Sequence, residues 1–118
     1  MTELTPRQQE LKAEFIKNRG YWGNFWSDVL ELDIEFFSAY TKFSSVPAKN
    51  NALDPKVREF LYIAIDASTT HLYMPGLKIH IQNALALGAT RDEIMEVLEL
   101  TSVLGIHTCT LGVPILME

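Results

Sequence analysis

The sequence has few of the residues on which disulfide, zinc-finger and thiol-redox chemistry depend. Cys109 is the only cysteine among 118 residues, so neither an intrachain disulfide nor a CxxC redox pair nor a cysteine-based zinc finger can form. Basic residues are also scarce, since ten Lys and Arg stand against fifteen Asp and Glu, for a net charge of −5. That balance disfavours binding to a phosphate backbone, and we expect no nucleic-acid partner.

Long apolar runs and a basic leader are missing as well. No uninterrupted apolar run approaches the roughly 20 residues that span a bilayer. Glu3 and Glu10 lie where a secretory signal would have a basic start and an apolar core. We therefore expect no membrane partner and a cytoplasmic location. A hydrophobic fraction of 47% in a chain of this length predicts one globular domain over residues 1–118.

Helix signals dominate the chain, and strand signals are sparse. Four capping or proline patterns each predict a helix start, at Thr5-Pro6, Asp54-Pro55, Pro75 and Thr90 with Glu93. Apolar spacing predicts one long helix from about Asn24 to Phe43 and an enclosed central helix over residues 57–67. Gly88 and Gly105 are expected to end or bend helices. The sequence thus predicts an all-α domain of five or six helices.

The C-terminal tail, residues 106–117, is apolar with few charges. Such a segment has to pack on something, either on the body of the same chain or on a neighbouring subunit. Because so small a helical domain cannot easily cover both this tail and its aromatic-rich second helix, we expect a homo-oligomer.

His80 and Glu59 are the leading candidates for proton chemistry. His80 lies beside a mostly apolar helical stripe, where an imidazole can exchange protons with a substrate near neutral pH. The alternative is a buried histidine that only donates to a carbonyl. Glu59 is early in the most apolar predicted helix, where it can act as an acid or a base. Its alternative role is that of a first-turn acid placed favourably at a helix N-terminus.

Asp66 is less expected, because it comes late in the same helix, where the helix dipole disfavours an acid. A partner such as a histidine, a lysine or a subunit is implied. His71 and His107 complete a set of three histidines, but no HxxxH or HxxE pair is present, so we expect no metal site. Cys109 is expected to be a buried, inert thiol.

Aromatic residues cluster at the start of the predicted second helix. They are Tyr21, Trp22, Phe25 and Trp26. Such a cluster can wall a pocket for a flat organic ligand, or it can belong to the core or to a subunit interface.

Two segments resemble the carboxymuconolactone decarboxylase family, which also includes the AhpD-type alkylhydroperoxidases. The first, Leu53 to Phe60, has an Arg-Glu pair at the start of an apolar helix. The second, Ile79 to Ile94, contains the run His-x-x-x-Ala-Leu-x-x-Gly-Ala-Thr-x-x-Glu-Ile. The resemblance is strongest over residues 53–105 and leaves residues 1–50 as N-terminal helices. It implies an AhpD-like helical bundle whose members assemble as trimers or hexamers.

The resemblance also favours one branch of the family. Redox members carry a CxxC ahead of the histidine, but the matching connector here, residues 68–75, has no cysteine. Decarboxylase members lack the CxxC and convert γ-carboxymuconolactone to an enol-lactone, with loss of carbon dioxide and without a cofactor. By this resemblance the chain is a lyase-like enzyme acting on a small anionic lactone or related cyclic acid.

The site residues that follow from this reading are His80, Glu59, His71, Tyr73 and Arg58. His80 would donate the proton or stabilise an oxyanion, and Glu59 would orient the His80 imidazole or return a proton to it. His71 and Tyr73 would line the site or bind substrate, and Arg58 is either a carboxylate anchor or a solvated residue of the helix face.

Two other functions stay open. The interval from Glu59 to His80 is about two residues longer than in the decarboxylases, which predicts a different pocket wall. A non-catalytic, oligomeric ligand-binding or scaffold protein of the same fold is the first alternative. A redox protein that uses Cys109 is the weaker one, because that thiol has no resolving partner.

Overall fold

The computed structural model describes residues 3–118, apart from the side chain of Phe25. These residues form α-helices and two short 3-10 helices, and no strand is found among them. The α-helices are α1 (Pro6–Arg19), α2 (Ser27–Leu32), α3 (Ile34–Ser44), α4 (Val46–Asn50), α5 (Pro55–Ala67), α6 (Met74–Ala86), α7 (Arg91–Ser102) and α8 (His107–Leu116). Within the described range, six of them have ten residues or more. The predicted all-α fold is confirmed.

Two compact units make up the chain, one reaching to Ala52 and the other running from Leu53 to Glu118. The first unit has an aromatic core centred on Phe15 and Phe37. Tyr21 and Trp22 both meet the Phe15 ring edge-to-face, with centroids 5.9 and 5.4 Å away. These two rings therefore contribute to a core and not to a pocket wall. The side chain of Phe25 lies outside the described part of the chain.

The prediction of one long helix from about Asn24 to Phe43 is wrong, because Asp33 interrupts the helix. A 3-10 turn (Asn24–Trp26) and α2 precede Asp33, and α3 follows it. Asp33 has φ −148° and ψ 85°, and its carboxylate accepts a hydrogen bond from the Phe36 backbone N–H at 3.0 Å. This local cap competes with the continuous helix and wins.

The predicted helix starts in the second unit are confirmed. Asp54 accepts from the Lys56 backbone N–H at the start of α5, and Thr90 forms a reciprocal capping box with Glu93 at the start of α7. Pro75 lies in the first turn of α6. The Thr90 backbone hydrogen bond, followed by the bond from Lys56, lowers the pKa of Glu93 from its ordinary value of 4.5. Burial opposes this shift without reversing it, and a carboxylate at the start of α7 interacts favourably with the positive end of the helix dipole.

The central helix α5 is not enclosed on all sides. Its buried face consists of Glu59, Ile63 and Asp66, whereas Leu61 and Ile65 are 48% and 54% exposed. The core of the second unit lies on the buried face, where Ile63 packs with Ala84, Ala89 and Ile94. The helix therefore turns its two acids inward beside Ile63 and leaves Leu61 and Ile65 facing outward.

The apolar tail does not pack on the body of the chain. Every residue of α8 is exposed, and so is Cys109, which corrects the expectation of a buried thiol. By length and composition alone, the helical segment Arg91–Leu116 is long and apolar enough to cross a membrane, and little of its most apolar part is buried. The tail is thus left without a partner inside the described chain.

Candidate active site

The candidate site is built from the inward face of α5, the first half of α6 and the connector between the two helices. Asp54 and Pro55 fix the start of α5, and from there Glu59, Ile63 and Asp66 recur at helical spacing on one side. α6 packs against this side and contributes His80, which is buried. The fold therefore brings two carboxylates and one imidazole together in the interior of the second unit.

His80 and Glu59 form the tightest polar contact of the site. The His80 Nδ1 atom is 2.6 Å from Glu59 Oε2, and both side chains are buried. When Glu59 is ionised it can only accept, so Nδ1 carries the proton and Nε2 remains for a second partner. Tyr62 stacks on the imidazole with ring centroids 4.4 Å apart and planes 14° apart. The plane and the orientation of the ring are thereby held.

Asp66 lies between two histidines. Its Oδ2 atom is 3.8 Å from His80 Nε2, and its Oδ1 atom is 3.3 Å from His71 Nε2. Asp66 is buried, whereas half of the His71 side chain is exposed. The position of Asp66 late in α5 predicted a partner for this acid, and the structure shows that the partner is a pair of histidines.

The connector from α5 to α6 folds tightly around Asp66. The Tyr73 backbone N–H donates to the Asp66 carbonyl oxygen at 2.8 Å. Leu72 has φ +45°, a left-handed conformation that is strained for a residue with a branched side chain. Gly76, in the first turn of α6, is buried, and a Cβ there would overlap Asp66 Oδ2 and the Tyr73 ring. The absence of a side chain at Gly76 makes room for the carboxylate.

Four of the residues proposed from the sequence, His80, Glu59, His71 and Tyr73, lie in this region. The centroids of the His71 and Tyr73 rings are 5.8 Å apart. Arg58 is partly exposed in the first turn of α5, and it projects roughly 100° around the helix from Glu59 because adjacent residues are separated by that angle.

His107 is placed in α8, where its Nδ1 atom is 3.2 Å from Thr110 Oγ1. Over the part of the chain that the structure describes, no group of three or more His, Cys, Asp or Glu side chains is arranged to hold a metal ion.

Sequence reasoning missed two residues, Tyr62 and Gly76. The available signal for Tyr62 was its three-residue spacing from Glu59, which places both near one helix face. For Gly76 the signal was a glycine in the first turn of a helix, a position that offers no cap and therefore points to close packing. Together the site can hold one imidazole in a defined orientation and offer carboxylates to both of its nitrogens, which suits proton transfer.

Comparison with known proteins identifies relatives. Residues 35–105 match the model of the carboxymuconolactone decarboxylase family. Among solved structures, the chain is similar to a protein of Burkholderia xenovorans LB400 provisionally named a gamma-carboxymuconolactone decarboxylase subunit. The two are 57% identical with a TM-score of 0.92, over 98% of this chain and 47% of that one. The chain thus spans about half the length of this relative. No curated protein matches it.

Proposed function

The chain belongs to the carboxymuconolactone decarboxylase family, and on this basis we propose that it is a cofactor-independent, carboxy-lyase-like enzyme. Its substrate would be a small carboxylated lactone or a related cyclic acid. The observation that carries the proposal is the buried contact of 2.6 Å between His80 Nδ1 and Glu59 Oε2. A carboxylate on one imidazole nitrogen favours the ring as a proton carrier at the other nitrogen.

The reaction requires two things of the site. When carbon dioxide leaves, the electron pair of the broken bond remains on the substrate as a dienolate, whose oxygen gains negative charge. A positioned imidazolium stabilises that charge and then donates a proton to carbon. In our proposal His80 does both through Nε2, and Glu59 holds the ring and balances its charge.

The other proposed residues bind the substrate. His71 and Tyr73 line the site beside Asp66, and Arg58 offers a planar guanidinium that can grip a carboxylate through two hydrogen bonds. The small-molecule partner is therefore an anion. A cytoplasmic location and the absence of nucleic-acid and membrane partners are part of the same proposal.

The test is the release of carbon dioxide from γ-carboxymuconolactone by the purified protein. We expect His80→Ala to lower kcat by about 10²- to 10⁴-fold, the usual contribution of a positioned general acid, and Glu59→Gln to lower it in the same direction. His107→Gln is the matched control, because this histidine lies in α8 and its Nδ1 is close to Thr110. Unchanged turnover in His80→Ala would contradict the assignment.

A non-catalytic, oligomeric ligand-binding or scaffold protein is the second candidate. The observation that favours it is the burial of His80, which is only 5% exposed in a single chain. Calorimetry with cyclic acids separates the two functions, since a scaffold would bind a ligand without releasing carbon dioxide.

The proposal includes assembly into a homo-oligomer, a trimer or a hexamer. It is supported by the outward-facing Leu61 and Ile65 of α5 and by the exposed apolar residues of α8, which a second copy of the chain would cover. Light scattering during gel filtration should give a multiple of 13.4 kDa. A monomer that partitions onto lipid vesicles would contradict assembly and would indicate instead that the segment Arg91–Leu116 binds a membrane.

A further inference from the structure

We propose that Asp66 is a proton-relay residue that connects the buried His80 imidazole with solvent through His71. The inference rests on the proposed decarboxylation, because that reaction gives the relay its purpose. Its geometry stands independently: one carboxylate faces two imidazoles through two different oxygens, with Oδ1 toward His71 and Oδ2 toward His80.

The reaction needs a proton from solvent in every turnover. The bond from the substrate carbon to its carboxylate breaks, carbon dioxide leaves, and the electron pair stays on carbon. The proton on His80 Nε2 then forms the new C–H bond, which leaves the imidazole neutral. His80 has to be protonated again, yet its side chain is 6% exposed and that of Glu59 is 11% exposed. Neither side chain of this pair is open enough to serve as a route from water.

His71 provides the open end of such a route. Half of its side chain is exposed, and its Nε2 atom is 3.3 Å from Asp66 Oδ1. An imidazole exchanges protons with water near neutral pH, so a proton that His71 takes from solvent can pass from Nε2 to Oδ1. Rotation of the Asp66 carboxyl group about Cβ–Cγ then presents this proton to His80 Nε2, and Asp66 returns to a carboxylate.

The last step requires a small movement. Asp66 Oδ2 and His80 Nε2 are 3.8 Å apart, which exceeds a hydrogen bond of roughly 2.9 Å by less than one ångström. A gap of that size leaves no room for a bridging water, so the carboxyl group itself has to close it. Room for the carboxylate is provided by Gly76, where any Cβ would overlap Oδ2.

The position of Asp66 also argues against a purely helical role. The residue lies in the last turn of α5, which contains no basic residue, and the helix dipole there disfavours a negative charge. Stability of the helix therefore does not account for an acid at this place, whereas contact with two imidazoles does.

The relay can be tested without measuring activity, because the chain has only three histidines. We would measure the exchange of imidazole N–H protons with water by ¹⁵N NMR in the wild type, Asp66→Asn and His71→Gln. Exchange at His80 should slow about tenfold or more in both variants, which corresponds to a barrier higher by ~1.4 kcal/mol. His107 is the internal control, and His107→Gln should leave exchange at His80 unchanged.

Unchanged exchange at His80 in His71→Gln would overturn the proposal, even if Asp66→Asn failed to fold. If Asp66 only anchored the connector, Asp66→Asn would lower the midpoint of urea unfolding but leave exchange at His80 as it is in the wild type. That result would also overturn the relay.

Kinetics separate the relay from the proposed function. With γ-carboxymuconolactone, His71→Gln should lower kcat with little change in KM, and added imidazole should restore kcat by replacing the lost proton carrier. Imidazole should not restore His80→Ala. A wild-type protein without turnover would refute the proposed function, while the NMR exchange would still decide the relay. Turnover with no effect of His71→Gln would refute the relay alone.

Discussion

Replacing Gly76 with alanine is expected to destabilise the protein, although this change in a helix usually has the opposite effect. An alanine Cβ at this position would lie 2.8 Å from Tyr73 Cδ2 and closer still to Asp66 Oδ2. Real Cβ atoms do not approach other heavy atoms this closely, so either the carboxylate or the Tyr73 ring has to move. Gly76→Ala thereby displaces Asp66 from His80 without removing any titratable group.

The magnitude follows from two opposing effects. Alanine in a helix interior is favoured over glycine by up to ~1 kcal/mol. Inserting a methyl group into a packed site costs about 1–3 kcal/mol, and here both neighbours are held by other contacts of the site. We expect a net loss of about 1–2 kcal/mol in the free energy of unfolding. For a chain of this size that corresponds to a fall in Tm of roughly 4–8 °C.

The assay is urea unfolding followed by circular dichroism, with Gly112→Ala as the matched control. Gly112 lies in α8, where a Cβ would meet nothing within 4 Å, so this variant should be neutral or more stable. The cause is tested by combining Gly76→Ala with Asp66→Ala, since the loss should shrink by ~1 kcal/mol when the carboxylate is absent. If Gly76→Ala stabilises the protein as Gly112→Ala does, the assigned role of Gly76 is refuted.

Three further predictions concern stability. Because the pKa of Glu93 is lowered in the folded state, ionised Glu93 should stabilise the protein fully above pH 4.5, and this stabilisation should be lost as the pH falls through the lowered pKa. The midpoint of urea unfolding should therefore fall with pH in the wild type, and Glu93→Gln should lack this part of the change. Identical pH profiles of the wild type and Glu93→Gln would contradict the prediction. Asp33→Ala should cost about 1 kcal/mol by removing the cap of α3, measured by thermal unfolding, and an unaltered Tm would refute that cap. Ile63→Ala should lower the free energy of unfolding by about 2–5 kcal/mol, because Ile63 is buried in the core. Ile65→Ala, at an exposed position, should mainly weaken the association of subunits measured by light scattering. Equal losses of stability in the two variants would contradict this difference.

The site could be predicted from the sequence only in part. The spacing of Glu59 and Asp66 places both acids near one face of a helix, and the structure puts both on the buried face. His80 lies between these two acids because of the way α6 packs on α5. Glu59 and His80 are 21 positions apart, and no periodic pattern in the sequence indicates that they are in contact. A glycine in the first turn of α6 indicates close packing, but the sequence does not show that the Asp66 side chain is the group packed there.

The sequence by itself determined the helical class and the starts of four of the eight α-helices in the described part of the chain. Capping residues and prolines act within one turn, so Thr5, Asp54 and Thr90 specify their helices locally. It also excluded an intrachain disulfide and a CxxC pair within these 118 residues, because Cys109 is their one cysteine. Only the tertiary structure decided that α5 turns Glu59 and Asp66 inward and leaves apolar residues outside. The physical reason is that the burial of a residue depends on contacts between elements distant in the chain, and a sequence pattern shows which residues share a face but not which face is covered.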